Sequence, residues 1–207
     1  MKVGRMELPA EIAIPAEPRG VVIFAHGSGS SRLSPRNRDV ARALNRAGLA
    51  TTLFDLLTPE EAEDRANVFD IPLLAGRMRE AIAEARRTPE LRGLGIGLFG
   101  ASTGAAAALS AAAMEGEGIS AVVCRGGRPD LACSVLADVT APTLLIVGGL
   151  DETVLSLNEL ALAQLRCERR LEIVPGASHL FEEPGKMEDV IALASQWFTR
   201  HLAGDGG

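Results

Sequence analysis

Ser102 lies in a ten-residue stretch, GIGLFGASTG (residues 95–104), whose glycine spacing fits two different chemistries. Gly95, Gly97 and Gly100 spell G-x-G-x-x-G, the phosphate-cradling pattern of a dinucleotide site. Gly100, Ser102 and Gly104 spell G-x-S-x-G, a sharp turn that lifts a serine nucleophile between a strand and a helix. The flanking residues decide between them. A dinucleotide site needs a strand ahead of its first glycine and an acid about twenty residues on, at the end of a second strand. Here the apolar run LGIGLF places Gly95 and Gly97 inside the strand, and Glu115 ends an alanine-rich helix instead. The strand glycines then serve close packing of a helix on the sheet. The serine turn meets its own requirement, because LGIGLF leads into it and the helix former AAAALSAAA leads out.

A serine hydroxyl needs a base to become a nucleophile, and the base needs an acid to orient it. Asp151, in GGLDETV, follows the run TLLIV and lies 49 residues beyond Ser102; His179, in PGASHLFEEPG, follows LEIV another 28 residues on. The order serine, acid, histidine is the one this kind of turn uses. Asp130 is the alternative acid. His201 falls near the end of the last helix, where solvent is expected to surround it. His26 opens HGSGSS after the run VVIFA, and its expected task is to pin that loop. Two backbone N–H groups, those of Thr103 and Ser28 with Gly29 as the alternative, are positioned to receive an oxyanion. No H-E-x-x-H or clustered His/Cys spacing occurs, so neither a metal nor another cofactor is expected.

These residues need a scaffold that brings distant turns together. Six runs, VVIFA, LATTLF, LGIGLF, AVVC, TLLIV and LEIV, alternate with helical patterns from residue 20 onward, which predicts a mostly parallel α/β sheet covered by helices on both faces. Helices are expected from Ser34 (N-cap) and Pro35 to Gly48, from Pro72 to Arg87, from Thr103 to Met114, from Leu155 to Arg166 and from Gly185 to His201. The segment before residue 20 reads as edge strands. Residues 1–203 form one domain in this reading, and 204–207 a disordered tail. In such sheets chemistry collects at the carboxyl ends of the strands, where each candidate falls.

Composition narrows the partners. The chain has 207 residues, 47% of them hydrophobic, and 27 acids against 21 bases give a net charge of −6. That balance disfavours nucleic acid and anionic membrane and favours a small-molecule ester substrate, on a monomer or small homo-oligomer. Three cysteines without a C-x-x-C pair suit a reducing compartment, and the N-terminus lacks the apolar core of a signal peptide, so a cytoplasmic location is expected.

Taken together, HGSGSSRLSPRN, GLFGASTGAA, IVGGLDETV and GASHLFEEPG resemble the dienelactone-hydrolase-related branch of the α/β-hydrolase superfamily along nearly the whole chain. Dienelactone hydrolases proper carry a cysteine where this chain has Ser102, which makes a general carboxylesterase the expectation. Only 18 residues separate Cys124 from Thr143, too few for a cap domain. The site is therefore expected to be open, with a preference for short acyl chains. Leu33, Phe69, Leu155, Leu180 and Phe181 are candidate apolar walls. Gly29, Leu33, Arg125 and Leu180 are candidate substrate-binding residues, with Arg128 a second cation that an anionic substrate would meet. The same three catalytic groups would also serve thioester cleavage or acyl transfer. A non-catalytic ligand-binding or scaffold protein of this fold is the reading of another class.

Overall fold

Strongly apolar runs interleaved with amphipathic helices force the strands into the middle layer of three. The structure, a computed structural model, describes residues 2–202; the expected tail at 204–207 lies outside the described residues. Among the described residues, eight strands form one sheet in the order β1-β2-β4-β3-β5-β6-β7-β8. β1 (Lys2–Val3) and β2 (Leu8–Ala13) are antiparallel edge strands. β3 (Val21–Ala25), β4 (Ala50–Phe54), β5 (Ile96–Ala101), β6 (Ala121–Arg125), β7 (Thr143–Gly148) and β8 (Arg169–Val174) run parallel. β3 to β7 are buried along their whole length, which is why their sequences do not alternate.

On one face, α5 (Thr103–Glu115) sits on the sheet beside α4 (Ile71–Arg87), and on the other α1 (Pro35–Arg46) packs beside α7 (Lys186–Leu202). Ser34 caps α1 by accepting the Asn37 N–H, with Pro35 in the first turn. α5 is almost wholly buried, and its alanines let its backbone approach β5. On the opposite face, a Cβ placed on Gly97 would fall 2.6 Å from the Phe198 ring, so this glycine lets α7 lie close to β5. The strand itself begins at Ile96, later than its apolar run, because Gly93 turns the chain at φ +80° just before it.

The β6–β7 connection carries only a 3-10 segment, Pro129–Asp138, and no cap, as its 18-residue length implied. Two departures matter for the site. After β4 the chain forms two short helices that the reading of the sequence did not include, α2 (Pro59–Glu63) and α3 (Arg65–Val68). Thr58 and Glu61 form a reciprocal capping box at the start of α2, and Asp64 caps α3. α6 spans Glu152–Gln164, so it starts earlier than its apolar periodicity suggests and directly follows Asp151.

Candidate active site

Ser102 sits between the end of β5 and the first turn of α5, at φ 52° and ψ −122°. A side-chain-bearing residue holds such a backbone only under constraint, at a cost of about 1–3 kcal/mol. The constraint is visible in its bonds. Ser102 N–H donates to Arg125 O at 3.2 Å, and Ser102 O accepts from Ala105 N–H at 3.1 Å and Arg128 N–H at 3.0 Å. Both glycines of the motif are steric necessities: a Cβ on Gly100 would lie 2.5 Å from Ala105 Cα, and one on Gly104 2.6 Å from His26 O. The Ser102 hydroxyl does not cap α5.

Asp151 and His179 meet. Asp151 Oδ2 and His179 Nδ1 are 2.6 Å apart, with the carboxylate largely buried and the imidazole partly open. Asp151 occupies the N-cap position of α6, yet its side chain does not cap the helix, so its carboxylate is committed to the histidine. The two turns are also tied by main chain, through Gly149 N–H to Val174 O and Leu150 N–H to Ala177 O, both 2.9 Å. His179 then lies over the turn after β6: a Cβ on Gly126 would be 3.5 Å from its Nδ1 and Cε1. Since Arg125 and Arg128 bond Ser102 from that same turn, residues 125–128 are the common neighbour of serine and histidine. Glu183 accepts the Ser178 N–H at 3.0 Å, which braces the histidine loop, and hydrogen bonding from the Ser178 side chain and then from this N–H holds its carboxyl below the usual range.

His26 is part of a different arrangement. Its Nε2 accepts the Leu56 N–H at 3.0 Å, which leaves Nδ1 as the protonated nitrogen, facing Gly27 O at 3.0 Å. Burial lowers its pKa, in keeping with a neutral ring that joins the β3 loop to the end of β4. Arg32 reinforces the junction, donating to Asp55 from both its backbone and its guanidinium. Ser28 N–H donates to Thr103 Oγ1 at 2.9 Å.

The remaining candidates are dispersed. Asp130 is held by Arg128 through two hydrogen bonds, at 2.8 and 2.7 Å. Arg125 is the last residue of β6 and is buried, with its guanidinium 6.0 Å from the centre of the Phe181 ring. Burial and the nearby Arg36 push its pKa down to about 10, so it remains cationic at neutral pH. Phe181 is a core residue, 1% exposed, because the histidine loop folds its ring inward. His201 is not solvated as expected, since its ring packs 4.6 Å from that of Trp197. Leu33, Phe69 and Leu180 are exposed and Leu155 half-buried. None of those four lines the cavity of about 420 Å³ that opens beside Ser28, Gly29 and Thr103. Its apolar walls are Leu56, Leu57, Val68 and Leu74, which the sequence reading missed. The signal was TPEE at 58–61, a capping box directly after a strand.

Among the described residues, no helix is long and apolar enough to cross a membrane. Residues 18–192 match the model of a family described as an alpha/beta hydrolase domain. A dienelactone hydrolase from Anabaena variabilis is 55% identical, with 97% of this chain and 95% of that one covered and a TM-score of 0.93. XC6422 from Xanthomonas campestris, described as an α/β serine hydrolase without lid, shares the fold at 22% identity and TM-score 0.79, over 98% of this chain and 94% of that one. A Mycobacterium tuberculosis protein bearing a phosphoribosyl transferase name is 56% identical over 98% of this chain, which spans only 46% of that relative's length. The eight-stranded order, the strained turn at Ser102 and the family match agree, and the chain belongs to the α/β-hydrolase superfamily, in its dienelactone-hydrolase-related branch.

Proposed function

We propose that the protein is a serine hydrolase that cleaves small carboxylic esters or lactones through an acyl-enzyme. In this reading Ser102 Oγ attacks the carbonyl carbon while its proton passes to His179 Nε2. The new C–O bond forms, the carbonyl π pair moves onto oxygen, and the N–H groups of Thr103 and Gly29, or of Ser28 shared with its partner Thr103 Oγ1, receive that oxyanion. One such donor contributes roughly 2.7–4 kcal/mol in the transition state. Collapse expels the alkoxide, which takes the proton from His179. Water then repeats the sequence on the acyl-enzyme, releasing the acid and restoring Ser102. Asp151 holds the imidazole in the required tautomer and stabilises its cation.

The observation that carries this reading is the 2.6 Å contact between Asp151 and His179, made by a carboxylate that makes no capping bond from its N-cap position. Thioester cleavage and acyl transfer would use the same groups, and a ligand-binding role would need none of them to react. The phosphoribosyl transferase name belongs to a relative more than twice the length of the matched region, so that activity can reside wholly outside it. The reading includes a cytoplasmic setting, supported by three unpaired cysteines, and a small-molecule ester as the partner. Fluorophosphonate treatment followed by mass spectrometry is the test. An adduct on Ser102 and loss of p-nitrophenyl acetate hydrolysis in Ser102→Ala are expected; labelling elsewhere or undiminished turnover overturns the assignment.

A further inference from the structure

We propose that the cavity beside the β3 loop is the acyl-group subsite and that it selects aryl or similarly bulky apolar acyl groups; this rests on the hydrolase reading above. The cavity, about 420 Å³, is lined by Ser28 and Thr103, the groups assigned to the oxyanion, and by Gly27, where a Cβ would lie 3.7 Å from Ser102 Oγ. All of its lining residues precede residue 104, and none comes from the turns that carry Asp151 and His179. That asymmetry assigns its occupant. The tetrahedral carbon carries four substituents: Ser102 Oγ, the oxyanion, the leaving oxygen and the acyl carbon. The leaving oxygen has to face His179, which protonates it. The oxyanion faces the Ser28 and Thr103 N–H groups. A cavity that borders those donors and lies away from the histidine is left for the acyl carbon and what it bears.

Its chemistry is apolar. Leu56, Leu57, Val68 and Leu74 form the walls, and the one ion pair at the cavity, Arg32 with Asp55, is already neutralised within itself. A cavity of about 150 Å³ suffices for benzene, so this volume accepts a phenylacetyl-sized group with room to spare. The shape is built in advance. His26 and Arg32 fix the β4 end of the wall, and the Thr58–Glu61 capping box fixes the start of α2 over it. In this proposal the acyl preference is set by the segment after β4, whose Thr58, Pro59, Ala62 and Val68 line the cavity, and not by the short β6–β7 connection.

The test varies acyl and alcohol parts separately. For wild type, kcat/KM for p-nitrophenyl phenylacetate should exceed that for the acetate by about tenfold or more, while changing the alcohol of acetate esters of similar leaving-group pKa should matter little. Val68→Trp fills the cavity without touching the reacting groups, and should lower the phenylacetate by about tenfold while moving the acetate less than about threefold. Leu57→Ala enlarges it and should shift the optimum to larger acyl groups, which decides the matter if Val68→Trp does not fold. Equal loss on both esters in a folded Val68→Trp, an unmoved optimum in Leu57→Ala, or a change in alcohol preference instead overturns the subsite. Ser102 labelling without acyl discrimination in the wild type overturns the subsite alone; failure of Ser102 to label overturns the hydrolase reading as well.

Discussion

The backbone N–H of Ser28 donates to the hydroxyl of Thr103 at 2.9 Å, joining residues 75 positions apart. One bond thereby holds the β3 loop against the first turn of α5, and both proposed oxyanion donors belong to the residues it links. Thr103→Val keeps the buried shape and deletes only the acceptor, leaving Ser28 N–H without its partner. The expected outcome is a fall of about tenfold in kcat with little change in KM. Steady-state kinetics check it, and unchanged or faster turnover would mean that Thr103 competes with the oxyanion for this donor.

Ser102 is held at φ 52° and ψ −122°, a conformation glycine adopts with less strain. Ser102→Gly should therefore abolish ester hydrolysis and yet raise unfolding stability, by about 1 kcal/mol after glycine's own entropic cost. Urea denaturation with unchanged m value is the measurement. A destabilised variant would show that the hydroxyl contributes more to the fold than its backbone costs.

Asp151 and Asp130 both follow strand ends, but only Asp151 touches His179, while Asp130 is committed to Arg128. Asp151→Asn should lower kcat by about 10⁴-fold, through the wrong tautomer of the imidazole. Asp130→Asn should leave the rate within about threefold and cost under about 1 kcal/mol, as for other half-exposed ion pairs. The reverse ranking in single-turnover kinetics would move the acid to β6.

His26 is buried and accepts the Leu56 N–H, and burial sets its folded pKa below the ordinary 6.5. Below 6.5 the unfolded chain therefore binds a proton that the folded chain refuses, so stability should be full above that pH and decline as pH falls through it. His201, lowered by desolvation too, adds a slope of the same sign. In His26→Gln the decline should be shallower than in wild type. Denaturation midpoints between neutral and mildly acid pH test this, and an identical slope would assign the effect elsewhere.

What the sequence determined by itself was local. The order strand, G-x-S-x-G, helix settles Ser102's backbone within ten residues, and the apolar runs around Asp151 and His179 put both at strand ends. Periodicity also marks which face of each helix turns inward, as Val40, Ala41 and Leu44 of α1 show. What only the tertiary structure decided depends on which side chain of one element arrives at another. Ser28 N–H finds its acceptor beyond the end of the neighbouring strand β5, Arg125 disappears under Phe181, and Asp130 closes on Arg128. The cavity walls escaped for a related reason: α2 and α3 are shorter than two turns, so no hydrophobic period builds up within them. Strand order and the close approach that the glycines permit bring such pieces together, and neither is written in the spacing of any single segment.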